Sequence, residues 1–110
     1  MVTNIDVNMP VFEEEVFGPA WPVIVVDDAQ QAVLLANSSI YGLGATIFSK
    51  DVQKAMELAV EIESGSVFIN NQVKSDPRLP FGGVKKSGYG RELADFGIKE
   101  FVNIKTVWVK

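Results

Sequence analysis

Three carboxylates in a row, Glu13-Glu14-Glu15, stand just ahead of Val16-Phe17-Gly18-Pro19. A carboxylate only accepts hydrogen bonds and can take two hydroxyls at once, which suits the vicinal diol of a ribose. The aromatic face of Phe17 beside it suits a flat ring. The same run also reads as a solvated acidic face before a Gly-Pro turn. A second segment is glycine-dense: Pro80-Phe81-Gly82-Gly83, then Ser87-Gly88-Tyr89-Gly90-Arg91-Glu92. Such a loop can hold a phosphate on backbone N–H groups at a helix N-terminus. It has neither the lysine spacing of a P-loop nor a strand–GxGxxG–helix unit. A tightly folded turn using positive φ between Gly82 and Gly90 is the plainer reading. Asn70-Asn71 either orients a ligand or simply turns the chain.

Cysteine and histidine are both absent. The 110 residues therefore hold no disulfide framework, no thiolate zinc site and no serine–histidine or cysteine–histidine pair. The net charge of −4 argues against nucleic acid or an anionic membrane as partner. That charge is unevenly spread: ten acidic residues against two lysines up to Glu63, then four acidic against eight basic. No apolar run approaches the roughly 20 residues needed to span a bilayer. The first ten residues lack a basic segment followed by an apolar core, so the expected location is cytoplasmic.

Elements that alternate along the chain must position these residues. Residues 21–26 form a short apolar, β-branched run, which predicts a strand buried on both faces. Asp27-Asp28 supplies a helix N-cap, with Ala29, Ala32, Val33 and Ala36 at helical spacing. Residues 45–48 predict a second strand, and Asp51 caps a second helix with a stripe of Val52, Ala55, Met56, Ala59 and Ile62. Gly65 stands where a left-handed C-cap is expected, and residues 66–69 predict a third strand. This order implies parallel strands with crossover helices. Residues 77–90 are expected to be irregular, 91–96 a short helix, and 101–109 an edge or intersubunit strand.

Together these pieces resemble the aldehyde dehydrogenase family. The family's EExFGP segment corresponds to residues 14–19, and its AN-x-x-x-YGL stretch to residues 36–43. Its G-x-V-x-I-N strand corresponds to residues 65–70, and its PFGG-x-K-x-SG-x-GRE loop to residues 80–92. Four motifs in register cover the chain from about Glu13 to its end. Residues 73–79 are similar to the succinate-semialdehyde dehydrogenase group, with Ser75 six residues before Phe81.

The resemblance implies an α/β fold. It would be a parallel βαβαβ layer of the catalytic domain over residues 1–98, ending in an irregular Gly/Pro-rich loop. A C-terminal oligomerisation strand over residues 99–110 would follow. It implies that Glu15 binds the nicotinamide ribose hydroxyls and that Phe17 lies against the nicotinamide of NAD or NADP. Ser75 would donate a hydrogen bond to a substrate carboxylate, flanked by the positive charge of Lys74 and Arg78; the other reading is that Ser75 and Asp76 are loop caps. Phe81 is similar to a family residue near the aldehyde pocket. The family's nucleophilic cysteine, general-base glutamate, oxyanion asparagine and cofactor domain all precede the EExFGP segment. The chain is thus expected to be the C-terminal quarter of an oxidoreductase that converts an aldehyde, succinate semialdehyde above all, to its acid. In isolation it is expected to be inactive, to bind no dinucleotide tightly, and to form homo-oligomers. A stand-alone, non-catalytic assembly or binding module is the alternative.

Overall fold

A computed structural model describes residues 1–110. They form two compact units, residues 1–40 and 41–110.

In the first unit, α1 (Pro10–Glu13) begins on a proline, whose missing N–H costs nothing in a first turn. Helix α2 (Ala29–Asn37) starts where the sequence indicates, because the Asp28 carboxylate accepts a 2.8 Å hydrogen bond from the Gln31 amide. Val33 is its buried residue, while Ala29, Ala32 and Ala36 face solvent. The strand expected over residues 21–26 does not form. Its pairing is limited to one parallel bridge between Val2 and Pro22, closed by Val2 N–H to Trp21 O and Val23 N–H to Val2 O, each 2.8 Å. Val25 is 92% exposed. Propensity makes a run extended, but a strand exists only where another backbone lies alongside.

The second unit holds two small sheets. Strand β1 (Tyr41–Gly42) pairs antiparallel with β4 (Val84–Lys85), and β2 (Ala45–Ile47) pairs parallel with β3 (Val67–Ile69). The register sets Ala45 opposite Val67 and Ile47 opposite Ile69. Helix α3 (Val52–Glu61) is the crossover between the parallel strands, so one βαβ unit replaces the longer βαβαβ layer. Its N-cap is Asp51, whose carboxylate accepts from the Lys54 amide at 2.9 Å. Ala55 and Leu58 are buried, but Val52 and Met56 of the expected stripe are exposed. Two strands cover only a narrow strip of the helix, so part of a wide apolar stripe stays open.

Gly65 is not a left-handed cap. α3 ends on Ile62 in extended conformation, and Gly65 lies outside the positive-φ region. Its lack of a side chain serves close approach instead: the Gly82 carbonyl oxygen occupies the space a Cβ would take. Asn70 has φ of 54° at the end of β3, a left-handed value that asparagine tolerates. Its side chain accepts from Ser49 N at 2.9 Å and donates to Ser49 O at 2.8 Å, strapping β3 to the loop before α3. It is a turn residue.

The last helix, α4 (Ala94–Lys99), begins three residues beyond Arg91. Glu92 is used in an antiparallel bridge with Phe81, and Leu93 and Ala94 carry φ of 65° and 50°. The helix can start only once the chain has turned at Leu93, and its first residue, Ala94, still carries the left-handed φ. Residues 101–110 form no strand, and Phe101, Ile104, Val107, Trp108 and Val109 are exposed. The Phe101 and Val102 amides still close on Ile98 O and Lys99 O at the end of α4, and the alternating segment beyond them has no neighbouring edge to pair with.

Candidate functional site

The EExFGP segment lies in the first unit, directly after α1. The Glu14 amide closes that helix on Pro10 O at 2.8 Å, and the backbone turns extended at Glu14, with φ −91° and ψ 140°. Glu15, Val16 and Phe17 follow outside any helix or strand, so their direction is set by the end of α1. The Glu15 carboxylate is exposed and has no hydrogen-bonding or ionic partner. Phe17 presents its ring almost wholly to solvent, at 93% exposure.

Ser75 and Phe81 belong to the second unit. Ser75 is exposed and its hydroxyl is unengaged. The next residue, Asp76, is half-buried and gathers three donors from Arg78. These are the backbone amide at 3.0 Å and Nε at 2.9 Å, both on Oδ1, and Nη2 at 2.7 Å on Oδ2. These hydrogen bonds from Arg78, side chain foremost, hold the Asp76 carboxyl well below the usual carboxylate range, and Asp76 raises the Arg78 guanidinium in return. The positive flank expected of Lys74 and Arg78 is therefore half cancelled, since the Arg78 charge is engaged by Asp76. The capping reading of Asp76 holds for the Arg78 amide, but the side-chain pairing with Arg78 was missed. An aspartate before proline and two residues from an arginine was the available signal, because such aspartates commonly bond the backbone two positions on.

The glycine-rich loop is a structural knot. Phe81 N–H donates to Glu92 O at 2.8 Å, and Glu92 N–H to Phe81 O at 2.7 Å. The Arg91 guanidinium reaches back through Nη1 to Gly83 O at 2.7 Å and Gly90 O at 2.8 Å. The Ser87 hydroxyl accepts from the Gly42 amide at 3.0 Å. Positive φ is confined here to Gly88 at 132° and Lys85 at 55°. Gly82 and Gly83 serve close packing, with Ser87 Cβ 2.5 Å from where a Gly83 Cβ would sit. Phe81 is half-buried and lines a cavity of about 350 Å³ beside Arg91 and Glu100. No cluster of three or more carboxylates could hold a metal ion. No helix is long and apolar enough to cross a membrane.

Comparison with known proteins matches residues 1–107 to the profile of the aldehyde dehydrogenase family. The chain belongs to the aldehyde dehydrogenase family. It is 50% identical over 108 residues to the succinate semialdehyde dehydrogenase [NAD(P)+] Sad of Escherichia coli K12, covering 98% of this chain and 23% of that protein. It is 47% identical over 109 residues to a probable succinate-semialdehyde dehydrogenase [NADP(+)] of Synechocystis, covering 99% of this chain and 24% of that protein. Among solved structures, a succinic semialdehyde dehydrogenase from Streptococcus pyogenes in complex with NADP+ superimposes with a TM-score of 0.91 at 42% identity. That match covers 97% of this chain and 24% of the other. The chain thus spans about a quarter of the length of the aldehyde dehydrogenases it matches. Its α/β architecture is of the aldehyde dehydrogenase type.

Proposed function

We propose that the chain is the distal part of the catalytic domain of an NAD(P)-dependent aldehyde dehydrogenase that oxidises succinate semialdehyde to its dicarboxylic acid. Residues 1–98 would belong to that domain and 99–110 would form an oligomerisation strand. The observation that carries this reading is the free Glu15 carboxylate two residues from the bare Phe17 ring. Both oxygens of Glu15 are open to a vicinal diol, and the Phe17 ring two residues on is open to a planar base, which suits a nicotinamide riboside. The nicotinamide group, when bound, supplies the hydride acceptor for the oxidation. Glu15 accepts from the ribose hydroxyls and Phe17 limits the tilt of the ring, a positional effect rather than proton chemistry. Ser75 donates to the distal carboxylate of the substrate, and Phe81 borders the aldehyde. Protein outside these residues supplies the cysteine nucleophile, the general base and the site for the adenosine and pyrophosphate.

In full-length enzyme carrying this segment, Glu15→Gln replaces one acceptor oxygen with an NH2 donor and removes the charge while keeping the shape. Single-turnover measurement should show slower hydride transfer, and an unchanged rate would remove the assigned role. A second reading, a non-catalytic assembly module, is favoured by the exposed apolar side chains of residues 101–109. Sequencing the reading frame ahead of Met1 separates the two. An in-frame segment bearing a reactive cysteine supports the enzyme, and a start codon with no such segment supports the module.

A further inference from the structure

We propose that Arg78 and Asp76 form a clip that positions Ser75, so that selectivity for a carboxylate-bearing aldehyde depends on the geometry of this pair rather than on the arginine's charge. The inference rests on the reading of Ser75 as the residue that meets the substrate carboxylate.

The argument starts from the backbone. Pro77 fixes its own φ and confines Asp76 to extended conformations, which stiffens the chain just after Ser75. Asp76 O accepts from the Leu79 amide at 3.0 Å, closing a turn over residues 76–79. The planar guanidinium of Arg78 then grips both oxygens of the same carboxylate, whose Oδ1 also takes the Arg78 amide. Pro77 O accepts from the Ala94 amide at 3.2 Å, which ties the turn to the start of α4. Ser75 thus stands at the mouth of a turn held from three sides, while nothing engages its own hydroxyl. A single hydroxyl donor gains most when its direction is set before binding, since ordering it on contact subtracts from affinity. A lysine could neutralise Asp76 but could not fork across both oxygens.

The test is made in full-length enzyme carrying this segment. It reads the ratio of kcat/KM for succinate semialdehyde to that for an uncharged aldehyde of equal length, and the second value also registers folding. Arg78→Ala and Arg78→Lys should each lower the ratio by about two- to fivefold, the scale of an exposed ion pair. Ser75→Ala should lower it further, and adding Arg78→Ala to Ser75→Ala should change nothing more. Full retention of the ratio in Arg78→Lys would mean that charge suffices, and would overturn the clip. So would an additive loss in the double variant, which marks Arg78 as acting on the substrate itself. A lowered ratio in Ser75→Ala with unchanged Arg78 variants overturns the clip alone. An unchanged ratio in Ser75→Ala overturns the Ser75 reading, and the clip's role with it.

Discussion

Replacing Gly65 by alanine should be among the most damaging single-methyl changes in the chain. A Cβ built there would lie 2.6 Å from the Gly82 carbonyl carbon and 3.0 Å from Gly83 Cα, with the Gly82 oxygen nearer still. Carbon pairs settle at about 3.5–4.0 Å. All three atoms are backbone, so no side chain can rotate away. The methyl must lift the glycine-rich loop from the approach to β3, and that motion pulls on the 3.0 Å bond from Gly65 N to Gly42 O and on the β1–β4 pair. Overpacking usually costs about 1–3 kcal/mol, and a rigid backbone obstacle places this case at or above the upper end. At about 4–8 °C per kcal/mol for a domain of this size, the midpoint should fall by roughly 12 °C or more. Gly18→Ala is the control, since nothing lies within 4 Å of its added methyl, and it should stay within about 0.5 kcal/mol of the parent. Thermal unfolding followed by circular dichroism compares them. Equal midpoints for the two variants would refute the close-approach argument.

Asp28→Ala and Asp51→Ala each remove a carboxylate cap from a helix amide, and each should cost about 1 kcal/mol in urea unfolding. The carboxyl of Asp76 is held below its ordinary value by Arg78, so its contribution is present above the unfolded value of about 4 and is lost only as pH falls below that, through the depressed folded value. Carboxyl-carbon NMR should therefore find Asp76 still ionised at pH 3, and Arg78→Ala should return it towards the ordinary range. The chain should self-associate through residues 101–109, whose apolar side chains lie open. Light scattering behind size exclusion should give more than a monomer mass at micromolar concentration, and deleting residues 101–110 should lower that mass.

What could be read from the sequence was whatever local chemistry decides. Asp28 and Asp51 cap their helices because a short carboxylate reaches the amide three residues on, wherever the rest of the protein lies. β2 and β3 were legible because α3 returns the chain to the same sheet. Residues 21–26 and 101–109 were not, because their patterns specify an extended backbone without specifying a neighbour. Gly65 failed for a related reason: a glycine records that something is close or that φ is positive, and only coordinates say which. At the site, the acidic run and Phe17 already suited a ribose diol and a flat ring, but a solvated face explained them as well until the surrounding motifs fell into register. The Asp76–Arg78 pair went unnoticed because opposite charges two apart usually mean nothing on a surface.

The corner at Leu93 and Ala94 sets a course as well as ending a loop. Two consecutive side-chain-bearing residues in left-handed backbone are uncomfortable, each by roughly 1–3 kcal/mol, and persist only where neighbours insist. The insistence comes from the Phe81–Glu92 bridge on one side and the Pro77 carbonyl on the other. The heading of α4, and of the whole tail that leaves it, is therefore steered by the two residues least at ease, and slackening either hold would swing the tail to a new bearing.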